Sequence, residues 1–240
     1  DDGTTAAFGP DGLGGTRVLL RSGDPAPDAP DALFSYPDDL ALAADGSMVL
    51  EGYLEIGVGG VTNADDFGLW GTAGAGPLHL IAREGDRPAG LAEGARFAAL
   101  QRWEVNATGE VTVSGTYFPP ASGAAEDGLW HHDLYTGVTS LLLRKGDLFE
   151  VAPGDVRTVL FVGAGIRGAG GGDGKGRAWN DAGQLAASIG FEGGSRGLFR
   201  LTVPEAATGA GAAALAALAA LRRSVRDRRT QPTSGTQTRA

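Results

Sequence analysis

The sequence contains no cysteine among its 240 residues. It therefore cannot form disulfides or hold a metal ion through thiolates. Basic side chains are also scarce outside the C-terminal tail. The whole chain carries a net charge of −9, while six arginines and one aspartate from Ala206 onward contribute +5 and leave the remainder at −14. An acidic body repels nucleic acid and anionic membranes, so we expect neither as a partner.

The sequence also has no strong catalytic or cofactor motif. No nucleophile elbow or Ser/His/Asp order is present, so we predict no catalytic residues. The run Val159–Gly168 contains G-x-G-x-x-G, the pattern of dinucleotide-binding loops. That pattern requires a helix directly after it, and the glycines of 168–176 disfavour a helix. We therefore predict no nucleotide cofactor.

Metal-binding residues are few and scattered. His131 and His132 are adjacent, and neighbours on a strand point to opposite faces, so they do not chelate one ion easily. His79 has no partner that the sequence reveals. Asp173, with Asp181 and Glu192, offers too few oxygens for Ca²⁺, which takes six to eight. We predict no metal site, and we interpret the glycine-rich run around Asp173 as a solvated insertion.

Glycine is abundant, at 41 residues, and much of it marks a repeat. Gly-Leu-Trp begins at Gly68 and again at Gly128, a step of 60 residues. Gly-Asp begins at 23, 85 and 146, with steps of 62 and 61. Recurrent spacing of this kind is typical of repeat architectures. Repeat one runs from about 25 to 86, repeat two from about 87 to 147, and repeat three from about 148.

Each repeat is predicted to contain four β-strands. In repeat two these are Phe97–Val105, Glu110–Phe118, Gly128–Asp133 and Val138–Arg144. Hydrophobic residues alternate along the second strand, and Asn106-Ala-Thr-Gly109 is a hairpin turn with a glycine for positive φ. Asp45-Gly46 and Asn180–Gly183 occupy the same place in the other repeats.

We therefore predict an all-β protein built of four-stranded antiparallel units of about 60 residues over 1–203. The arrangement is propeller-like, incomplete or open, and the alternative is an irregular sandwich or a row of sheets. Residues 1–24 look like the back half of a repeat. We expect this half-unit to supply the closing strand that repeat three lacks, and further repeats to precede it in a longer chain.

Several recurring side chains have structural interpretations. Asp24, Asp86 and Asp147 are expected to cap turns. Trp70 and Trp130 share one repeat position, which favours core packing. Trp103 and Trp179 are less regular, and they are the candidates for aromatic side chains that stack on sugars, although packing in the core is the alternative.

The C-terminal tail differs in composition from the repeats. Val203-Pro204-Glu205 precedes an uncharged Ala/Leu run over 206–221, for which we predict a helix, and the cluster beginning at Arg222 and Arg223 follows. Sixteen residues span about 24 Å, less than the ~30 Å hydrocarbon core. We predict a sorting and temporary anchoring segment over 204–229 and a disordered tail over 230–240, with docking of the helix on the body as the alternative.

These residues resemble the uncharacterised tandem-repeat surface proteins of bacteria that end in a PEP-CTERM sorting tail. The resemblance covers about 16–229. It rests on the Arg-x-Gly-Asp ends, the Gly-Leu-Trp motifs, the Asn-x-x-Gly turns, the stretch Ala152–Thr158 and the tail, which has Ala206 where a second proline belongs. It implies export and processing by an exosortase-like enzyme, with transient contact of 206–221 with the inner membrane.

The function expected from these features is an exported surface or matrix protein that acts as a binding or structural module without catalysis. Extracellular polysaccharide is the candidate ligand. The alternative is a propeller-type hydrolase or lyase that acts on such a polysaccharide.

Overall fold

Short β-strands joined by glycine turns account for all regular secondary structure in the described part of the chain. The computed structural model describes residues 4–164 and 178–203. No helix long and apolar enough to cross a membrane occurs within those ranges. Contacts divide the chain into two units, 1–203 and 204–240. The predicted helix over 206–221 and the insertion around Asp173 lie outside the described residues.

The strands follow one another along the chain with connections of 2 to 12 residues wherever the connection is described. They are β1 (Ala6–Pro10), β2 (Thr16–Arg21), β3 (Phe34–Leu42), β4 (Met48–Leu54), β5 (Phe67–Thr72), β6 (His79–Arg83), β7 (Arg96–Val105), β8 (Glu110–Phe118), β9 (Glu126–Asp133), β10 (Val138–Arg144), β11 (Leu148–Ala152), β12 (Asp155–Ala164), β13 (Gln184–Phe191) and β14 (Arg196–Thr202).

Four sheets are formed by strands that are consecutive in sequence. β1 and β2 form a two-stranded sheet, and β3–β6, β7–β10 and β11–β14 each form a four-stranded antiparallel meander. The all-β class and the four-stranded antiparallel unit are therefore confirmed. β8 and β10 have the predicted bounds, and β7 and β9 differ from prediction only by one and two residues at their starts.

The N-terminal half-unit does not complete the third four-stranded sheet, and that prediction is wrong for the described residues. β2 pairs with β1, which lies directly before it in sequence, from Ala6 opposite Arg21 to Pro10 opposite Thr16. A hairpin between adjacent segments closes a much shorter loop than a pairing with residues near 200. The fourth strand of the third sheet is instead β11, which pairs with β12 at the opposite edge.

A pair of backbone hydrogen bonds joins each sheet to the next at the Gly-Asp motif. Gly23 N–H donates to Phe34 O at 2.7 Å, and Phe34 N–H donates to Asp24 O at 2.9 Å. The same two bonds recur between Gly85-Asp86 and Phe97, and between Gly146-Asp147 and Val159. These glycines have φ between 80° and 85°, a conformation that favours glycine. We call this arrangement the Gly-Asp joint.

The aspartates of two of the three joints accept a nearby backbone N–H, as predicted. Asp24 Oδ2 accepts the backbone N–H of Arg21 at 2.7 Å, and Asp147 Oδ2 accepts that of Arg144 at 3.1 Å. Asp86 differs, because its Oδ1 accepts from Nη2 of Arg83 at 3.3 Å. Each carboxylate thus folds back on the residue three positions earlier, which holds the turn closed.

The tryptophans of Gly-Leu-Trp fill the core under the joint. Trp70 and Trp130 are fully buried, and each meets edge-on, at 4.8 Å, the phenylalanine of the joint that precedes it in sequence, Phe34 and Phe97 respectively. Their indole N–H groups donate to main-chain carbonyls of the linker that follows the joint, at Pro27 and Ala89.

The glycine of Gly-Leu-Trp makes room for the ring two residues later. A Cβ built on Gly68 would lie 2.7 Å from Trp70, and one on Gly128 would overlap Trp130. No side chain is tolerated there unless the indole moves. This contact explains why the glycine and the tryptophan recur together.

Three hydrophobic clusters occupy the spaces between successive sheets. The first includes Leu20, Phe34, Leu50 and Trp70, between the two-stranded sheet and β3–β6. The second includes Val49, Leu69, Val111 and Trp130, between β3–β6 and β7–β10. The third includes Leu129, Val159, Leu185 and Ile189, between β7–β10 and β11–β14. The two middle sheets therefore have a hydrophobic cluster packed against each face.

Candidate functional site

Three aromatic side chains form a row across β3, β4 and β5, where these strands lie side by side. Tyr36 lies opposite Tyr53, and Tyr53 lies opposite Phe67 in the strand register. The two tyrosine rings stack with centroids 4.7 Å apart and an interplanar angle of 21°. The Tyr53 and Phe67 centroids are 5.0 Å apart. We call these residues the aromatic row.

The row is accessible to solvent at its outer end. Tyr36 is 42% exposed, and Tyr53 and Phe67 are half-buried. Cross-strand aromatic pairs stabilise a sheet. A row that served only to bury hydrophobic area would not leave part of its ring surface in water. An exposed row of rings is therefore a surface on which a ligand can stack.

Carboxylates lie near Tyr53, the central ring of the aromatic row. The pKa of the Tyr53 hydroxyl is raised, first by partial burial, then by Tyr36 and by the acids Asp38, Glu51 and Asp66. Negative potential at this surface repels anionic ligands and favours neutral or cationic ones.

Trp103 of the neighbouring sheet lies next to the acids of this surface. Its indole N–H donates to Glu51 Oε1 at 2.7 Å, across from β7 to β4. Glu51 and Tyr53 are two residues apart on one strand and therefore share a face. Trp103 is half-buried, so its ring retains some access to solvent beside the row.

Trp179 has a different environment from Trp103. It is 1% exposed, belongs to the third hydrophobic cluster and lies 5.9 Å from the His131 ring. Its ring is not accessible to a sugar. Trp179 packs in the core, which was the alternative role predicted for it. Its backbone N–H donates to Glu104 Oε2 at 3.1 Å.

The remaining predicted residues fall into two groups. Gly163 lies within β12, opposite Ser188 in β13, and the other glycines of its motif, Gly165 and Gly168, lie outside the described residues. Asp181 Oδ1 accepts the backbone N–H of Ala107 at 2.9 Å, which links two turns. Of the sorting motif, Val203 is buried at the end of the first unit. The other residues of that motif, Pro204, Glu205, Arg222 and Arg223, lie outside the described residues.

A profile of a family of unknown function, DUF7453, matches residues 5–210. The chain belongs to the DUF7453 family. No curated protein matches the chain, and no solved structure matches it. The match covers all four sheets of this DUF7453 protein, so the joints and the aromatic row lie within the family region.

Sequence reasoning missed the aromatic row of this DUF7453 protein because a β-bulge sets its register. Next to the Asp45-Gly46 turn, Leu42 lies opposite Met48. Continuing that pairing would place Pro37 opposite Tyr53. A register shift between Pro37 and Leu40 brings Tyr36 opposite Tyr53 instead. The aromatic residues themselves were visible in the sequence, but their alignment was not.

The structure also brings together two histidines that are 53 positions apart. Nε2 of His79 on β6 lies 3.2 Å from Nε2 of His132 on β9. Nδ1 of His132 lies 2.8 Å from Thr139 Oγ1. Burial, with the neighbouring His79 and His131, lowers the pKa of His132 to about 4, so its imidazole is neutral at pH 7. Within 4–164 and 178–203, no group of three or more His, Cys, Asp or Glu residues could hold a metal ion.

Proposed function

We propose that the chain is a non-catalytic binding module of the bacterial cell surface or matrix, and that its aromatic row stacks on the sugar rings of an extracellular polysaccharide. The observation that carries this proposal is the exposed Tyr36–Tyr53 stack continued by Phe67. The C–H faces of pyranose rings are apolar and pack on aromatic rings, and the hydroxyl groups at the edges of the sugar remain available to polar neighbours.

The charge of the site narrows the ligand class. Asp38, Glu51 and Asp66 lie near the Tyr53 hydroxyl. Carboxylates accept hydrogen bonds from sugar hydroxyls, but they repel uronic acids and sulfated sugars. The ligand is therefore a neutral polysaccharide or an amino-sugar polymer.

The length of the row suits a chain of sugars better than one ring. Adjacent strands lie about 4.8 Å apart, so three side chains across three strands cover about 10 Å. A platform of that length contacts neighbouring units of a polymer together. Low affinity for a monosaccharide and higher affinity for an oligosaccharide are the expected result.

The location and architecture proposed for the module come from the sequence. The tail over 204–229 is a PEP-CTERM-like sorting segment that an exosortase-like enzyme processes, with 206–221 held in the inner membrane before release. The successive sheets are units of a propeller-like or open stack. The intact mass of the native protein in membrane, envelope and medium fractions tests the location. Loss of the residues after about Glu205 is expected, and an intact tail on a cytosolic protein would contradict it.

The binding proposal is tested by replacing one ring of the row. Tyr36→Ala removes the most exposed ring, and we expect affinity for a neutral β-glucan or for chitosan to fall about tenfold, equivalent to ~1.4 kcal/mol. Affinity electrophoresis in polysaccharide-containing gels measures this loss. Phe118→Ala is the matched control, because Phe118 is 45% exposed at the end of β8 and is not part of the row.

Two outcomes would contradict the proposal. Equal retardation of wild-type protein and Tyr36→Ala in every polysaccharide gel would show that the row does not bind these ligands. Release of reducing ends or unsaturated products by the wild-type protein would show that the module is catalytic and favour the hydrolase or lyase alternative.

A further inference from the structure

The contact between His79 and His132 joins two sheets. His79 and Ile81 alternate on the face of β6 that contributes to the second hydrophobic cluster. Trp130 on β9 and Leu134 directly after β9 lie two residues before and after His132 and belong to the same cluster. The two imidazoles meet at the border of this apolar interface. His132 is 2% exposed, whereas His79 is partly exposed, so one side of the pair is open to solvent.

We propose that His79 and His132 together bind one divalent transition metal ion, Zn²⁺ or Cu²⁺, which clamps the β3–β6 sheet to the β7–β10 sheet. The two Nε2 atoms are 3.2 Å apart. Two nitrogens that each lie about 2.0–2.1 Å from a tetrahedral zinc ion are separated by about 3.3–3.4 Å. Chelation therefore changes the separation of the two nitrogens by only a few tenths of an ångström, and the rings, whose centroids are 5.4 Å apart, turn so that both lone pairs point to the ion.

The hydrogen bond to Thr139 prepares His132 for this role. When Nδ1–H of His132 donates to Thr139 Oγ1, the lone pair of the ring lies on Nε2, which faces His79. A polar partner on the second nitrogen is the usual arrangement around metal-ligating histidines, because it fixes the tautomer and the ring orientation.

With His132 protonated on Nδ1, the hydrogen bond between the two Nε2 atoms requires that Nε2–H of His79 donates to Nε2 of His132 in the metal-free protein. Metal binding replaces this shared proton, so His79 carries its proton on Nδ1 while both Nε2 lone pairs coordinate the ion. No proton is gained or lost if His79 changes tautomer. One proton is released for each metal-bound water that ionises.

Close packing at Gly71 holds the pair in place. Gly71 lies opposite His79 in the β5–β6 register. A Cβ on Gly71 would overlap Leu134 of the neighbouring sheet, two residues after His132. The two sheets therefore approach as closely as a glycine permits beside the histidines, and this approach brings the Nε2 atoms within reach of one ion.

Two protein ligands leave the remaining coordination positions to water. No third His, Cys, Asp or Glu of the described residues completes the set. Imidazole suits Cu²⁺ and Zn²⁺, and the Irving–Williams order favours Cu²⁺ among the divalent ions. Binding is therefore moderate in strength and stronger for Cu²⁺ than for Ni²⁺.

The test titrates the full chain without an affinity tag with CuCl₂ and with ZnCl₂. Calorimetry is expected to give one equivalent of bound metal, and electron paramagnetic resonance of the Cu²⁺ complex to show coupling to two nitrogens. At tenfold excess of free Zn²⁺ over its Kd, the melting temperature is expected to rise by about 3–6 °C.

His79→Gln is the decisive variant, because His79 is partly exposed and its replacement spares the buried ring. We expect its affinity for Cu²⁺ to fall at least tenfold and its nitrogen coupling to drop to one. His131→Gln is the matched control, since His131 faces Trp179 and Glu110 on the opposite side of the strand. The chain has three histidines in total, so these variants separate the possible ligands.

Binding that His79→Gln leaves unchanged would overturn the proposal and assign the ion to surface carboxylates. Absence of binding to the wild-type protein at millimolar metal would overturn it as well, and the pair would then be only a hydrogen bond between sheets. Circular dichroism of each variant establishes that it is folded before titration, and His79→Asn serves in place of His79→Gln if the latter is unfolded.

Discussion

The third four-stranded sheet differs from the first two at the position of the tryptophan. In the first two sheets, Trp70 and Trp130 donate an indole N–H to a carbonyl three residues after the Gly-Asp joint. In the third, Phe199 holds the equivalent position and has no donor. There, the residues after Asp147 form β11 and pair with β12 instead of forming a loop.

This difference shows what the tryptophan contributes beyond apolar area. The linker after each joint has backbone groups that require partners. An indole N–H satisfies one carbonyl and allows the linker to remain an irregular loop packed on the sheet. Without that donor, the linker of the third unit satisfies its backbone by strand pairing. One aromatic substitution thus accompanies the change from loop to edge strand.

The largest expected effect concerns the glycine two residues before each ring. Gly128→Ala forces the buried indole of Trp130 to move, and we expect a loss of about 2–3 kcal/mol in the free energy of unfolding, measured in urea. Gly197→Ala is the matched control. The ring of Phe199 is only half-buried, so the same change should cost below about 1 kcal/mol. Equal costs would show that the two sheets pack their aromatic rings alike.

A smaller effect is expected when the indole donor alone is removed. Trp130→Phe leaves the Ala89 carbonyl without its partner, and we expect a loss of about 1–2 kcal/mol together with faster amide exchange over 87–95. Trp70→Phe should have the same effect on its own linker, 25–33. Unchanged exchange in both linkers would contradict the role assigned to the indole.

The smallest effect concerns the residue before the joint. Burial raises the pKa of Glu84, while in the third unit the equivalent Lys145 pairs with Glu126 at 3.4 Å. The pKa of Glu84 is higher in the folded protein than in the unfolded chain. Its contribution to stability is therefore present at pH values below the unfolded-state pKa and is lost as the pH rises through the folded-state pKa. Glu84→Gln is therefore expected to stabilise the protein at pH 7, by less than about 1 kcal/mol since Glu84 is half exposed to solvent, and not at pH 4.

Thermal melting at the two pH values measures this difference. Glu93→Gln, at an exposed loop position, is the control and should change stability at neither pH. Destabilisation by Glu84→Gln at pH 7 would contradict the assigned direction of the pKa shift.

The sequence predicted local features better than contacts between distant residues. The glycine turns and the alternation of hydrophobic residues predicted the bounds of β8 and β10 correctly, because turn chemistry acts within a few residues. Strand β11 was missed because the substitution that accompanies its pairing, at Phe199, lies about fifty residues later in the sequence.

Two features of the candidate sites could not be predicted from the sequence, and the reasons are related. The aromatic row depends on a bulge next to Pro37, and the sequence does not indicate where a strand gains an extra residue. The histidine pair depends on how closely two sheets approach at Gly71. That approach is determined by packing of the whole interface, not by any motif near His79.

The Gly-Asp joint has a mechanical consequence. Its two hydrogen bonds connect residues 10 to 13 positions apart, such as Gly23 with Phe34 and Gly146 with Val159. Each sheet is therefore tied to its successor by a short local bond pair, and a pulling force on the ends loads the joints in series. Under such force we expect the chain to yield one sheet at a time, with extensions of about 20 nm for each repeat of roughly 60 residues at ~3.5 Å per residue. A protein of this construction absorbs mechanical strain in discrete steps.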